Sequence, residues 1–336
     1  MQRWLARSLS LAIFALIASS AFAQYTLTNL TSNQSGKANF TDPLLINAWG
    51  LAYAPGGDFW ISDAGSGYST LYDGTGAPQS LQVVIPPASG TGTGSPTGMV
   101  YNASGEFKID NWVSAFMFCT LDGTISGWSH FSPNLALIGA NNSASGAVYT
   151  GLGITNKISG NILYAADAAN NKVDMFNGTF QLVGSFTDTG LPAGYTPFNV
   201  QDIQGNVIVT FSNGASGGYV DVFTEAGKLK VRVTKNGPLN QPWGIALAPK
   251  NFGPLSNTLL IANNIDNSST ISGYSIKTGK LVGTIKDTSG KPIAIDQLWG
   301  IEFGGGSSAN GATNQLFFTA GPNNNVNGLF GVIQMN

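Results

Sequence analysis

Six times along the chain, a tripeptide of the Trp-Gly-Ile kind opens a short apolar strand, and a second strand follows after a brief loop. The openings are Trp49-Gly50-Leu51, Thr97-Gly98-Met99, Thr150-Gly151-Leu152, Phe198-Asn199-Val200, Trp243-Gly244-Ile245 and Trp299-Gly300-Ile301. From one glycine, or the asparagine standing in for it, to the next, the spacing is 48, 53, 48, 45 and 56 residues. A period of that size, filled with strands and turns, is the pattern of a β-propeller with one blade per repeat. The expectation is therefore an all-β chain forming a single six-bladed propeller over residues 24–336.

Four strands are read in each repeat. The fourth, outermost ones are expected at residues 81–85, 135–138, 182–186, 229–233 and 281–285. The sixth repeat runs out after its third strand. The missing strand is available at 25–30, and docking it outside the last blade would close the ring and remove an open edge. Glycine suits the head of an inner strand because inner strands crowd one axis, where a residue without Cβ permits close approach. Asn199 is read as the substitute that best tolerates glycine-like dihedrals.

The N-terminus reads as a targeting segment. Arg3 and Arg7 give it a positive start, residues 9–18 are apolar, and Ala21-Phe22-Ala23 is a small-x-small cleavage site. Residues 1–23 are thus expected to be a signal peptide, the mature chain to begin at Gln24, and the product to be secreted or periplasmic. No later segment is apolar for long enough to span a bilayer as a helix. The formal net charge is −2 and becomes more negative once Arg3 and Arg7 are removed. Only 10% of residues are charged, and no basic patch exists to neutralise phosphates, so nucleic acid is not an expected partner. A monomer is expected. Cys119 is the only cysteine, which rules out a disulfide within the chain, and it lies in an apolar strand as a buried, inert thiol. His130 is the only histidine, so no His-based zinc site or second histidine is available. It is read as a surface residue.

The third repeat, Asn161-Ile-Leu-Tyr-Ala-Ala-Asp167-Ala-Ala-Asn170-Asn171-Lys-Val-Asp-Met-Phe176, resembles the NHL repeat: strand, Asp, short turn, basic residue, strand. In order along the chain stand Asn47-Ala-Trp-Gly-Leu-Ala, Asp122-Gly-Thr-Ile-Ser-Gly-Trp128, Leu191-Pro-Ala-Gly-Tyr195, Gln241-Pro-Trp-Gly-Ile-Ala-Leu-Ala-Pro249, Leu298-Trp-Gly-Ile301 and Phe318-Thr-Ala-Gly-Pro-Asn323. By these motifs the chain, over about residues 25–334, resembles a family of exported bacterial proteins, some of which carry a PEP-CTERM sorting tail. The resemblance implies an NHL-like six-bladed propeller and bacterial export, and assigns no activity. After Gly331-Val-Ile-Gln-Met-Asn336 no Pro-Glu-Pro follows, so sorting through such a tail is not expected.

Propeller topology places the start of each inner strand and the end of each second strand on one face. Asn47, Asn199, Asn240 and Asp296 lie at the former, and Asp63, Asp167, Asn263 and Asn264 at the latter. Asp63, Asp167 and Asn263 are the candidate metal ligands, since a ring of such oxygens suits a hard cation such as Ca²⁺. The same residue types also cap turns through side-chain hydrogen bonds. Trp49, Trp243 and Trp299, with Asn47 and Asn199, are the candidate ligand-binding set; the alternative for the tryptophans is packing between blades. Glu302 and Asp202 interrupt inner strands where apolar residues are expected, and are the candidate catalytic acids. Two functions follow: an exported, non-catalytic propeller binding a protein or glycan, or a Ca²⁺-type metal-dependent lactonase or hydrolase with its site at the channel mouth.

Overall fold

Residues 24–234 and 237–336 are described in the computed structural model. Residues 1–23, the expected signal peptide, lie outside them. Six antiparallel sheets form in chain order, each running from an inner to an outer strand. Blade 1 holds Ala48–Tyr53, Phe59–Asp63, Tyr68–Tyr72 and Pro78–Val84. Blade 2 holds Pro96–Tyr101, Phe116–Thr120, Thr124–Trp128 and Leu137–Asn141, and blade 3 holds Tyr149–Ile154, Leu163–Asp167, Lys172–Phe176 and Leu182–Phe186. Blade 4 is Thr196–Ile203, Asn206–Ser212, Tyr219–Phe223 and Leu229–Thr234, and blade 5 is Pro242–Leu247, Leu259–Asn263, Ile271–Tyr274 and Leu281–Thr284.

Blade 6 combines both ends of the chain. Leu298–Phe303, Gln315–Ala320 and Leu329–Met335 come from the C-terminus, and Tyr25–Ser32 supplies the fourth strand. It pairs antiparallel with the last strand from Tyr25↔Met335 to Ser32↔Leu329. Phe40–Thr41 adds a short parallel strand outside it. Tyr25 anchors this closure to blade 5: its hydroxyl donates to the Phe252 carbonyl at 2.8 Å, and its ring packs on Phe252.

Side chains alternate across a strand, so each second strand feeds two neighbours. Phe59 and Ile61 pack toward blade 6, whereas Trp60 packs toward blade 2. Leu260 and Ala262 face blade 6, while Leu259 and Ile261 face blade 4. The hydrophobic core is accordingly divided among the six blade–blade interfaces, with a separate cluster of Trp49, Ala64, Trp243 and Trp299.

Two details differ from the sequence expectation. The outer strand of blade 2 is Leu137–Asn141, because Leu135 instead bridges to Val84 of blade 1 and is lost to its own sheet. A small hairpin, Lys108–Ile109 and Trp112–Val113, is also inserted in blade 2, turning through Asp110 (φ 50) and Asn111 (φ 68). No described helix is long and apolar enough to cross a membrane.

Candidate functional site

The channel is shaped first at the face where inner strands begin. In blades 1, 5 and 6 the residue two before the tryptophan is left-handed: Asn47 (φ 51), Gln241 (φ 49) and Gln297 (φ 47). The ladder then slips between Ala48 and Leu51, Pro242 and Gly244, and Leu298 and Ile301. Such a bulge bends a strand and re-aims a side chain. Here it turns three indoles onto the axis. Trp49 and Trp299 have ring centroids 3.8 Å apart, Trp243 lies 6.1 Å and 5.8 Å from them, and Phe198 of blade 4 packs on Trp299 at 5.8 Å. Each indole N–H is satisfied, Trp49 by Asn47 Oδ1 (2.9 Å) and Trp299 by Asn325 Oδ1 (3.1 Å). Trp243 reaches past blade 4 to the Thr150 carbonyl of blade 3 (2.9 Å). All three rings are buried, so they plug this end of the channel and offer no open stacking platform there.

That plug corrects the expectation of an open mouth ringed by Asp and Asn. Asp63 accepts from Thr70 Oγ1 at 2.7 Å, and burial pushes its carboxyl well above the usual range, which favours the protonated form. Asp167 accepts from the backbone N–H groups of Val148 (3.1 Å) and Asn170 (3.2 Å) and from Asn170 Nδ2 (2.7 Å). Asn263 accepts from the Asn240 N–H (2.9 Å) and donates to the Pro238 carbonyl (2.6 Å). Asn264 donates to the Leu298 carbonyl, and Asp296 accepts from the backbones of Asn267 and Asn323. These side chains staple their own turns and the incoming chain, as turn caps do. Among the described residues no three His, Cys, Asp or Glu side chains are grouped to hold a metal ion. Cys119 is buried and its thiol is pushed up to about 12, while His130 is exposed beside Trp128.

Asn199 has a physical role other than the expected one. Its φ is not left-handed. Instead its Nδ2 donates to the Trp243 carbonyl at 2.9 Å, and its Oδ1 accepts the Val200 N–H at 2.8 Å. It bridges blades 4 and 5 with a side-chain hydrogen bond, as Thr97 Oγ1 does between blades 2 and 3 by donating to the Tyr149 carbonyl (2.7 Å).

The channel opens at the opposite face, where inner strands end. A funnel of about 390 Å³ extends from there down to Trp243 and to the level of Gly50, Gly98 and Gly300. Its wall takes one aliphatic side chain from every blade: Leu51, Met99, Leu152, Val200, Ile245 and Ile301. Its polar groups include Tyr53, Tyr101, Lys157, Gln201, Asp202 and Glu302. This volume lies within the range of small-molecule sites. The structure thus brings Asp202, Glu302, Asn199 and Trp243 into one cavity and leaves Trp49, Trp299, Asp63, Asp167 and Asn263 out of its lining.

Glu302 is half-buried against the funnel, and no side chain among the described residues forms an ion pair with it; its carboxylate meets the backbone N–H of Phe303. Burial pushes its carboxyl up to about 7, opposed only by a backbone N–H at Phe303. Tyr53, facing it from blade 1, is pushed up to about 12 by burial and by the Glu302 charge. Asp202 accepts the Gly205 N–H at 3.1 Å through Oδ1, while its buried Oδ2 has no partner. Burial raises its carboxyl too, with Lys157 pulling the other way. Lys157 is itself ion-paired with Glu225 of blade 4. Tyr53, Tyr101 and Lys157 were not singled out from sequence. The signal available was their common place at or just past the end of an inner strand.

Comparison with known proteins agrees with this architecture. No family model matches the chain. Protein R648 of Acanthamoeba polyphaga mimivirus is 28% identical over 335 residues, covering 93% of this chain and 81% of its own. Protein L690 of the same virus is 28% identical over 305 residues, covering 84% and 79%; both are described as uncharacterised. Among solved structures, a streptogramin B lyase superposes with a TM-score of 0.55 at 13% identity, covering 93% of this chain and 98% of its own. The WD40 propeller domain of Doa1 does so with a TM-score of 0.52 at 11% identity, covering 93% and 97%. The chain is a β-propeller like these, and at such identities the likeness extends to the fold alone.

Proposed function

We propose that this protein is a ligand-binding propeller whose site is the axial funnel. The funnel admits a small molecule, or one projecting group of a larger protein or glycan partner. The observation that carries this reading is Glu302: an acid without a side-chain partner, facing a cavity closed beneath by a buried tryptophan plug. A carboxyl whose ionised form is disfavoured by burial gains from a ligand that meets that form. The likeness of the motifs to those of exported bacterial NHL-like propellers, together with the expected leader at 1–23, supports action outside the cytoplasm. N-terminal sequencing of the secreted chain is expected to read from Gln24.

The direct test is a fragment soak of crystals of the mature chain. Fragments are expected in the funnel above Trp243. Occupancy only on other surfaces would overturn the reading. Glu302 also supports a second, catalytic reading, because a carboxyl titrating near neutrality suits general acid–base work. Lactone or ester turnover abolished by Glu302→Gln would favour that reading over binding alone.

A further inference from the structure

We infer that the funnel's ligand is an organic monocation, an ammonium group carrying an apolar body; this rests on the funnel being a ligand site. Three observations converge. The first is charge. Glu302 and Asp202 both line the funnel: Asp202 Oδ2 is buried without a partner, and Glu302 meets only the backbone N–H of Phe303. Lys157, the one cation among the funnel's lining residues, is engaged by Glu225. The cavity therefore carries net negative charge, two carboxylates against one lysine that a third acid also engages.

The second is the wall. Six aliphatic side chains line the wall beside the acids, with buried Trp243 at the floor. A hard divalent cation takes six to eight oxygen ligands, and no such acid cluster is grouped among the described residues. An ammonium needs only one or two carboxylates, and its apolar substituent is stabilised by the wall and the aromatic faces.

The third is the setting of Glu302. It faces the Tyr53 phenol of blade 1. The inner strand of blade 5, Pro242–Leu247, and the second strand of its own blade, Gln315–Ala320, carry no titratable group. Among the described residues no cation forms an ion pair with it. Its ionised form is thus the one a bound ammonium would favour, and affinity should fall when the carboxyl is protonated.

The test compares three isosteric probes on the mature chain by calorimetry and tryptophan fluorescence: phenethylamine, phenethyl alcohol and phenylacetate, with Ca²⁺ alone as a fourth. At about pH 8 the amine is expected to bind at least about tenfold more tightly than the alcohol, with phenylacetate excluded. Lowering the pH to about 6 is expected to weaken the amine about tenfold as Glu302 protonates. Glu302→Gln should abolish both the preference and the pH dependence. Should that variant fail to fold, the wild-type pH profile and the amine-to-alcohol ratio still decide. Equal binding of amine and alcohol would overturn the amine inference and leave the funnel reading standing. Binding of none of the probes, or of Ca²⁺ alone in a manner lost in Glu302→Gln, would also overturn it. The funnel reading itself stands or falls separately, on the fragment soak.

Discussion

At the scale of single residues, the glycines heading the inner strands are fixed by space. A Cβ on Gly244 would lie 2.5 Å from the Trp299 carbonyl oxygen, and one on Gly300 would lie 2.7 Å from that of Trp49. Both obstacles are backbone of the next blade and cannot swing aside. Gly300→Ala is therefore expected to destabilise the fold by about 1–3 kcal/mol, read by denaturant titration. Glu302→Gln is expected to act in the opposite direction above neutrality. The folded-state value of Glu302 is raised from 4.5 to about 7, so between those values the native chain binds more protons than the unfolded one. Stability then falls as pH rises through that window. Removing the charge should stabilise the protein by about 1–2 kcal/mol at about pH 8, allowing for solvent in the funnel, and change little at about pH 4. The glycines and Glu302 were legible in sequence because each breaks or keeps a six-fold pattern. The destination of the tryptophans was not. It depends on left-handed backbone at Gln241 and Gln297, a conformation that a glutamine does not advertise.

At the scale of elements, the strand Tyr25–Ser32 turns five complete blades and one incomplete blade into a closed ring. Its end is locked by Tyr25, which is 3% exposed and bonded to a carbonyl 227 residues away. Tyr25→Ala should cost about 3 kcal/mol, from lost packing and an orphaned Phe252 carbonyl, and deleting 24–32 should lower the Tm much further. An unchanged Tm after that deletion would refute the closure. The closure was readable because the last repeat is one strand short. The blade 2 hairpin was not, because Asp110 and Asn111 serve a turn within a connection that the repeat does not predict. The bridge from Leu135 to Val84 likewise depends on a neighbouring blade, which no local pattern contains.

At the scale of the whole molecule, blades meet through six separate hydrophobic interfaces, and the axis is shut by indoles at one end only. The two faces are thus unequal: one is stapled by Asp and Asn turn caps, and the other opens into an acidic, apolar-walled funnel. Sequence periodicity gathered the Asp and Asn residues onto the right face. It could not tell that this face was closed, because closure arises from side chains of blades 1, 4, 5 and 6 converging across the axis. Trp243→Ala removes the floor and is expected to cost about 3–5 kcal/mol in stability, measurable by thermal unfolding. The central claim is that ligand chemistry belongs to the funnel face. It is tested most directly by a crystal structure of the mature chain soaked with phenethylamine at about pH 8. The account predicts density above Trp243 with the nitrogen within hydrogen-bond reach of Glu302; an empty funnel, with density on the plugged face, would contradict it.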